Sequence, residues 1–476
     1  MPALLSAALA LALVQAEPAR AANPPPPPPQ APADAADVET PRLADPALRT
    51  RHYEIERITF VGLKGTREAE VRRHVLVTEG ELLVQERVLL SRLRLLQLGW
   101  FSRVEPRVER GSARGLVVLV FDVTERNTLL VTDLILGSTE PQPLYGGLGL
   151  SEQNFLGRGF GLSGAFVYGG APRDRAGDPD RFAVRGSFFA PDVRLPGGPR
   201  LVLGASALFL RGEELVCGDP DCEDFDDRIG DAPRIRYERA GGELSVGVRP
   251  GPFERLVATV RAERLSAREV GTVAPIDGTE APTILQGTSL LSALSGTYEI
   301  DTRDDFFLPR EGFRGLGQVT FASRALGGDY EYSRYLLQLE TAFGLGRLPL
   351  RVQATLGAAQ GGAPFFERFY PADFSYFAIG PALGRALELN FSTDSRYDAF
   401  VAMGGVEYAI PLWSRPGFLR RGYVALGLRA VWSTARLGGT RTPYSRSPAS
   451  GDAALRLDTP VGTFNLSLGY AVDNLL

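Results

Sequence analysis

Short segments of alternating apolar and polar side chains fill the chain after Glu125. Near the C-terminus, for example, Val424, Leu426 and Leu428 share one parity, and Gly427 and Arg429 share the other. Alternation with a period of two places the two sets on opposite faces of a β-strand. We therefore expect a mainly β fold whose strands each have one apolar face and one polar or small face.

The pattern predicts fifteen strands. They span residues 129–136, 144–154, 161–168, 181–190, 200–211, 234–249, 255–268, 289–301, 313–323, 330–345, 350–360, 400–411, 422–433, 452–458 and 463–472. Segments of about ten residues with one apolar face suit strands that separate lipid from a wet lumen. A soluble β-sandwich shows the same alternation, so the pattern alone leaves both folds open.

The lengths of the connections distinguish the two folds. All of the longest connections belong to one alternating set, namely 169–180, 212–233, 269–288, 361–399 and 434–451, and the intervening set includes short ones such as 250–254 and 346–349. Long loops at one end and short turns at the other are typical of bacterial outer-membrane barrels. We therefore predict that residues 127–476 form a transmembrane antiparallel β-barrel, with outer-membrane lipid around it.

Composition excludes other classes of protein. The chain is 44% hydrophobic and 23% charged with a net charge of −4, and its apolar runs after the N-terminus, such as 116–121, are far shorter than the ~18 residues of a transmembrane helix. A pI of about 5.6 also argues against a nucleic-acid partner, which would require a basic face.

The N-terminus has the features of an exported protein. An Ala/Leu-rich run and Ala19-Arg20-Ala21 predict a signal peptide over residues 1–22, with an ordinary buried helix as the alternative because no basic residue precedes the run. Six consecutive prolines then mark residues 23–50 as an extended linker.

Residues 51–126 contain the helical periodicity that the rest of the chain lacks. A strand is expected from Tyr53 to Phe60, a short helix capped by Thr66, a second helix over 81–98, and strands over 103–110 and 116–123. The order β-α-α-β-β resembles a POTRA domain, and any small α+β module is the alternative. The resemblance rests on Ile58, Phe60, Gly62, Gly99, Phe101, Val123 and Glu125. An open sheet edge in such a domain would accept an extended peptide as an added strand.

One POTRA domain before a barrel resembles the BamA and TamA superfamily of outer-membrane assembly and translocation proteins. The motif from Glu152 to Gly159 is similar to the family's early turn. A second turn motif is carried by Asp301, Arg303, Asp304, Pro309 and Gly312, which we expect to form a periplasmic charge cluster. Phe366, Glu367 and Phe369 look like the beginning of the family's long extracellular loop. The resemblance implies a sixteen-stranded barrel preceded by one α+β POTRA domain in the periplasm.

Two features depart from this family. The loop-tip Arg falls at Ala378 and its acidic partner near Gly427, so we expect the usual ion pair to be absent, unless Arg385 substitutes for the tip. Fifteen recognisable strands are one fewer than the even number expected. A truncated last strand and a miscounted segment are the two explanations that the sequence favours.

Candidates for other chemistry are few. Cys217 and Cys222 are close enough for a loop disulfide in an exported chain, and a second ligand pair for zinc is missing. The acidic segment 219–231 lacks EF-hand spacing. With no hydrolase or nucleotide-binding motif, we expect no enzyme activity, no metal and no cofactor.

The sequence thus predicts a protein that assists insertion or translocation of polypeptides, through strand addition at the POTRA domain and a lateral barrel seam. Its expected partners are unfolded or exported polypeptides and a periplasmic protein. The alternative is a structural or pore-forming surface barrel without assembly activity.

Overall fold

A computed structural model describes residues 53–137, 144–170, 180–194, 199–215, 234–268, 284–304, 309–345, 348–369, 398–414, 417–434, 449–459 and 462–472. These ranges contain eighteen β-strands and two α-helices. None of the helices in these ranges has the length and apolar character needed to cross a membrane.

The N-terminal domain has the predicted β-α-α-β-β order. Its elements are β1 (Glu54–Val61), α1 (Glu68–Arg73), α2 (Gln85–Gln97), β2 (Phe101–Arg110) and β3 (Leu116–Glu125). The central strand β3 pairs in parallel with β1 and antiparallel with β2. Both helices bury their apolar side chains against this sheet. The core comprises Ile55, Ile58, Val71, Val88, Leu95, Phe101, Val104, Leu119, Phe121 and Val123, among others.

The prediction that Thr66 caps the first helix is wrong. The residue that precedes α1 is Arg67, and no side chain caps the helix. The hydroxyl of Thr66 instead accepts a hydrogen bond from Asn154 in the second domain, at 2.8 Å. A cap requires only local sequence, whereas this contact depends on how the two domains meet.

Fifteen strands follow, as predicted, and form one continuous antiparallel sheet. They are β4 (Leu129–Gly137), β5 (Tyr145–Phe155), β6 (Phe160–Gly169), β7 (Arg181–Arg194), β8 (Arg200–Leu215), β9 (Arg234–Val248), β10 (Glu254–Arg268), β11 (Gly287–Asp301), β12 (Gly312–Ala322), β13 (Tyr332–Leu345), β14 (Leu348–Gly361), β15 (Phe400–Ser414), β16 (Arg421–Thr434), β17 (Ala449–Thr459) and β18 (Gly462–Val472). Each pairs with its neighbours in the chain, so the described sheet is an up-and-down meander.

The two faces of the sheet differ as the alternation predicts. On β16, Leu426 and Leu428 are exposed on the outer face, whereas Gly427 and Arg429 are buried on the inner face. On β13, Tyr335, Leu337 and Leu339 are likewise exposed on the outer face. An apolar exterior around a charged interior is the arrangement of a barrel in lipid.

The first and last described strands form a seam. β4 and β18 come within 8 Å of each other at Cα, yet no ladder joins them among the described residues. Because an odd number of strands alternates in direction, both edge strands run the same way, from the short turns towards the long loops. β4 and β18 are therefore parallel to each other, whereas all other neighbouring strands in the described sheet are antiparallel.

A substitution at Gly62 would test how closely β1 and β3 of the N-terminal domain pack. It has φ +96°, and an added Cβ would lie 2.0 Å from the carbonyl oxygen of Val123. We predict that Gly62→Ala raises hydrogen exchange in β1 and β3 of the full-length protein. The cost should exceed that of Gly80→Ala, which has φ +85° but open space around it, by about 1–3 kcal/mol. Equal exchange in the two variants would contradict the close packing.

Candidate functional site

The N-terminal domain is attached to the turn between β5 and β6. Asn154 holds this turn, since its Oδ1 accepts from the N–H of Gly159 and its Nδ2 donates to Thr66, both at 2.8 Å. The N–H of Arg67 donates to the carbonyl of Gly157 at 3.1 Å. The Glu152 to Gly159 motif therefore forms a docking point for the first domain, which we call the first footing.

Glycines in this turn allow the two domains to approach closely. A Cβ at Gly157 would lie 2.1 Å from the carbonyl oxygen of Gly65, and a Cβ at Gly159 would lie 2.8 Å from the ring of Trp100. The indole N–H of Trp100 donates to the carbonyl of Gln153 at 3.0 Å. Any side chain at these two glycines would separate the domains.

Glu125 organises the side of the first domain that faces this turn. Its carboxylate accepts from the N–H groups of Gly65 and Thr66, each at 2.9 Å. Burial by itself raises the pKa of Glu125, but these N–H groups outweigh that effect and hold the pKa below its ordinary value. The ionised carboxylate therefore fixes the loop that carries Thr66 and Arg67.

A second footing joins α2 to the turn between β11 and β12. The side-chain amide of Gln97 donates to the carbonyls of Asp301 and Arg303, at 3.1 and 2.7 Å. The guanidinium of Arg303 holds the Asp301 carboxylate at 2.7–2.9 Å and reaches Glu340 on β13 at 3.2 Å. The charged turn motif thus presents two backbone carbonyls to the first domain.

The other members of this turn motif shape its backbone. Asp304 accepts from the N–H groups of Arg310 and Glu311, at 2.8 and 3.1 Å. Pro309 is buried. Gly312 has φ +112°, and a Cβ there would lie 2.6 Å from the carbonyl oxygen of Thr302.

The POTRA motif residues fall into two groups. Ile58, Phe101 and Val123 are buried in the core, and Phe60 stacks on Phe121 with ring centroids 5.6 Å apart. Gly99 (φ +73°) lies beside the Gln153 side chain of the barrel. Gly99 and Glu125 therefore belong to the junction, and the remaining motif residues stabilise the domain itself.

A belt of alternating charges lines the inner face of β13 to β17. It continues from the Asp301 turn and consists of Asp301, Arg303, Glu340, Arg351, Glu407, Arg429, Asp452 and Arg456. Glu407 is its centre, since Arg351, Arg429 and Arg456 lie 3.7, 3.8 and 2.5 Å from its carboxylate. Arg351 also lies 3.6 Å from Glu340, and Arg429 contacts Asp452. Four arginines and four carboxylates balance, as buried charges require.

The belt changes how the missing acid at Gly427 is understood. Gly427 pairs with Glu407 on one side and Asp452 on the other, and a Cβ at Gly427 would lie 2.5 Å from Asp452 Oδ1. The carboxylates thus lie one strand to either side of the expected position. Arg429 and Arg456 from the barrel wall neutralise them.

The first residues of the long loop turn into the lumen. Phe365–Glu367 form a short 3₁₀ helix, and Phe369 pairs with Asp398 at the other side of the loop. Phe365 and Phe369 are almost fully buried. We call residues 364–369 the loop stem.

Aromatic and charged contacts hold the loop stem. Phe365 packs edge-on against Tyr237 of β9, with ring centroids 5.1 Å apart, and the Arg239 guanidinium lies 3.9 Å from the centre of the Phe366 ring. A Cβ at Gly357 of β14 would lie 2.4 Å from the Phe369 ring, so this glycine makes room for the stem.

Glu367 forms the ionic part of this contact. It accepts from Arg261 on β10 at 2.6 Å, Arg261 also bonds Glu263 at 2.5 Å, and Glu263 bonds Arg239 at 2.7 Å. The stem therefore spans the lumen from β14 to β9 and β10. This anchor is independent of the loop tip.

Several predicted residues lie outside the described ranges. They are Cys217, Cys222, Ala378, Arg385 and the acidic segment 219–231. Within the described ranges, no group of three His, Cys, Asp or Glu side chains is arranged to hold a metal ion.

Sequence reasoning missed the residues that join distant parts of the chain. In the sequence, Gln97 is a polar residue at the end of a predicted helix. Arg261 is one of many arginines on the predicted inner face. Arg126 and Asp458 form an ion pair at 3.6 Å. In the sequence, most of the barrel strands lie between them. The one signal in the sequence is that the segment directly after Asp458, Thr459-Pro460-Val461-Gly462, resembles a turn of the BamA and TamA superfamily.

Two family models match the chain. One, described as the Omp85 superfamily domain, covers residues 154–474. The other, the POTRA model described as a surface antigen variable number repeat, covers residues 53–126.

Curated relatives match parts of the chain. It is 24% identical over 288 residues to the "Outer membrane protein assembly factor BamA" of Neorickettsia risticii, which covers 60% of this chain and 34% of that protein. It is 30% identical over 113 residues to a "Putative outer membrane protein assembly factor" of Treponema pallidum, covering 23% of this chain and 14% of that one. The chain thus spans about a third or less of the length of these relatives.

Among solved structures, CdiB from Escherichia coli resembles this fold. The TM-score is 0.55 at 12% sequence identity, and the match covers 88% of this chain and 73% of CdiB. At this identity the likeness concerns the fold. It agrees with the barrel and the small α+β domain described above, so the fold predicted from the sequence is confirmed.

Acid should loosen the first footing. Because the pKa of Glu125 is lowered in the folded protein, its stabilisation is present above the ordinary value of 4.5 and is lost as the pH falls from there through the folded-state pKa. We predict that the amides of Gly65 and Thr66 lose protection against hydrogen exchange in this acidic range. Glu125→Gln should weaken them at pH 7 by about 1 kcal/mol and remove the pH dependence. A variant that keeps the pH dependence would contradict this role.

Glu367→Gln should release the loop stem. It leaves the buried Arg261 with Glu263 as its remaining carboxylate partner in the described lumen, and a lost charged hydrogen bond of this kind costs about 1–3 kcal/mol. We expect faster hydrogen exchange and proteolysis within residues 364–369. The matched control is Glu238→Gln, which breaks the half-exposed Arg211–Glu238 pair and should cost less than about 1 kcal/mol. Similar protection of the stem in both variants would exclude Glu367 as its anchor.

Proposed function

Because the chain belongs to the Omp85 superfamily and is an outer-membrane β-barrel with a periplasmic POTRA domain, we propose that it assists the insertion or translocation of polypeptides at that membrane. The clients are unfolded or exported polypeptides in the periplasm, and the role is not enzymatic. The lipid of the outer membrane surrounds the barrel, and a periplasmic protein that delivers clients is an expected partner.

The orientation of the barrel supports this role. Both footings join the POTRA domain to short turns, so these turns face the periplasm and the long loops face outward. A client arriving from the periplasm therefore meets the POTRA domain and the bases of the strands first. The edges of these two sheets are the places where its backbone can be paired.

One edge of the POTRA sheet is already covered. Backbone hydrogen bonds join residues 80–83 to Ile55 of β1 and to Tyr53, which directly precedes β1. The N–H of Ile58 donates to Glu79 at 3.0 Å, and its carbonyl accepts from Arg72 at 2.8 Å. Strand addition at β1 would have to displace these groups, so we do not assign it there.

The opposite edge, β2, divides into two halves. The carbonyl of Val104 accepts from Arg92 at 2.9 Å, and Pro106 has no N–H to donate, which is a common protection of edge strands. The stretch after Pro106, from Arg107 to Arg110, is the part of the edge to which we assign client binding. Natural edges are often protected in this way, so a short binding stretch is consistent with a transient contact.

The barrel seam is the observation that carries the proposal. β4 and β18 run in the same direction and share no ladder among the described residues. One additional strand running the opposite way would pair antiparallel with both edges, as every other pair in the sheet does. Lipid offers no hydrogen-bond partner to an open edge. A client strand would supply these partners and become the next strand of the sheet.

Reconstitution tests the proposal. The full-length protein in lipid vesicles should accelerate folding of an unfolded outer-membrane barrel relative to empty vesicles. A disulfide between cysteines introduced on β4 and β18, in a chain with Cys217 and Cys222 changed to serine, should abolish the acceleration. Reduction of that disulfide should restore it. No acceleration by the unlocked protein would overturn the proposal.

The charge belt favours a second candidate, a structural or pore-forming barrel. Arginines of the barrel wall neutralise Glu407 and Asp452, so the described part of the lumen has a balanced lining of its own. Ion conductance in a planar bilayer without any acceleration of client folding would support this alternative. Acceleration of folding that depends on an unlocked seam would exclude it.

A further inference from the structure

A third contact joins the POTRA domain to the barrel beside the seam. Arg126 follows β3 directly, and its N–H donates to the carbonyl of Trp100 at 2.9 Å, within the POTRA domain. Its guanidinium lies 3.6 Å from the carboxylate of Asp458 on β17, with both side chains at most 6% exposed. The connector leads into β4, the first strand of the sheet, and is thus also attached to β17, the strand next to the last.

Asp458 is rigidly held at the base of the barrel. Its Oδ2 accepts from Arg421 of β16 at 2.8 Å, and its carbonyl accepts from the N–H of Arg420 at 2.9 Å. Asp458 also pairs with Thr463 in the hairpin that leads into β18. A force on Asp458 is therefore transmitted to the edge strand β18.

The three contacts surround the base of the barrel. The first footing lies on the β5–β6 turn, one strand from the edge strand β4, and the third lies on β17, next to the edge strand β18. The second footing, on the β11–β12 turn, lies seven strands from β4 in the fifteen-stranded order, near the opposite wall. The POTRA domain therefore contacts strands on both sides of the seam at its base. The second footing holds the domain at the opposite wall.

We propose that the Arg126–Asp458 ion pair is a clamp that holds the base of the seam closed, and that displacement of the POTRA domain opens it. Arg126 is a positioning residue, because it acts on the edge strands through β17. The clamp goes beyond the proposed function, and only the use of the opened seam by a client rests on that function.

Because Asp458 has a second arginine partner, Arg126 is the better member of the pair to replace in a test. When Arg126 is replaced, Asp458 keeps both of its bonds to Arg421 and is not left as an unpaired buried charge. Replacement of Asp458 would instead remove a carboxylate partner from two arginines and disturb β16. Arg126→Gln therefore removes the clamp and leaves the hairpin intact, and Arg126→Lys retains the positive charge.

Distances between spin labels measure the seam directly. The full-length chain, with Cys217 and Cys222 changed to serine, carries labels at Leu129→Cys and Phe464→Cys, which are exposed residues near the bases of β4 and β18. Dipolar broadening of continuous-wave electron paramagnetic resonance spectra, which reports the short distances between neighbouring strands, is recorded in vesicles of phosphatidylethanolamine and phosphatidylglycerol. Labels at Leu244→Cys and Val260→Cys, exposed partners on β9 and β10, report on the integrity of the barrel.

Arg126→Gln should broaden the seam distance and lengthen it by about one strand spacing, roughly 5 Å, and Arg126→Lys should restore the narrow distribution. The control variant Arg103→Gln removes an exposed arginine of the same domain and should leave the seam unchanged. The β9–β10 distance should not change in any variant. An unchanged seam in Arg126→Gln, or equal widening in Arg103→Gln, would overturn the clamp.

The client-folding assay distinguishes the clamp from the insertion of clients at the seam. If the seam widens in Arg126→Gln and client folding changes with it, both are supported. If the seam widens and client folding does not respond, the clamp stands and seam insertion is wrong. If the seam does not widen, the clamp is wrong whatever the folding assay shows.

Discussion

The absence of hydrogen-bond partners in lipid is the constraint on which this structure depends. Each backbone N–H and C=O in the membrane must bond within the sheet, and the meander from β4 to β18 satisfies this for every described strand except the outer edges of those two. The cost of an unpaired edge is concentrated at one place, where the two edge strands run in the same direction. The seam follows from the number and direction of the described strands, independently of any single side chain.

The same constraint determines where charge is placed. Arginines and carboxylates occupy the inner face, where Glu407 gathers three arginines and Glu367 anchors the loop stem to Arg261. The balanced belt gives the wall between the Asp301 turn and the seam its own electrostatic support. The loop stem, in turn, braces β14 against β9 and β10 through residues 364–369. Both features stabilise the barrel interior through contacts that the family resemblance did not predict.

Period-two alternation was sufficient to predict the strands, and the lengths of the connections then favoured a barrel over a sandwich. The strand expected over residues 400–411, for example, is observed as Phe400–Ser414, and the order of the POTRA elements was also correct. The local turn motifs were found because Asn154, Arg303 and Gly312 act within a few residues of their own position. Contacts between distant residues could not be predicted. Thr66 has the features of a helix cap, but it binds Asn154 across the domain junction. Arg126 meets Asp458 only because the sheet curls back towards its beginning.

Site-specific cross-linking of a client arrested during insertion would test the central claim most directly. Cysteines placed along the client's last strand would be paired with cysteines along β4 and along β18 of the vesicle-bound protein. The account predicts disulfides with both edges, in registers that run antiparallel to each edge strand. Cross-links confined to residues on the inner face, such as those around Glu407, or an absence of cross-links to either edge, would contradict it.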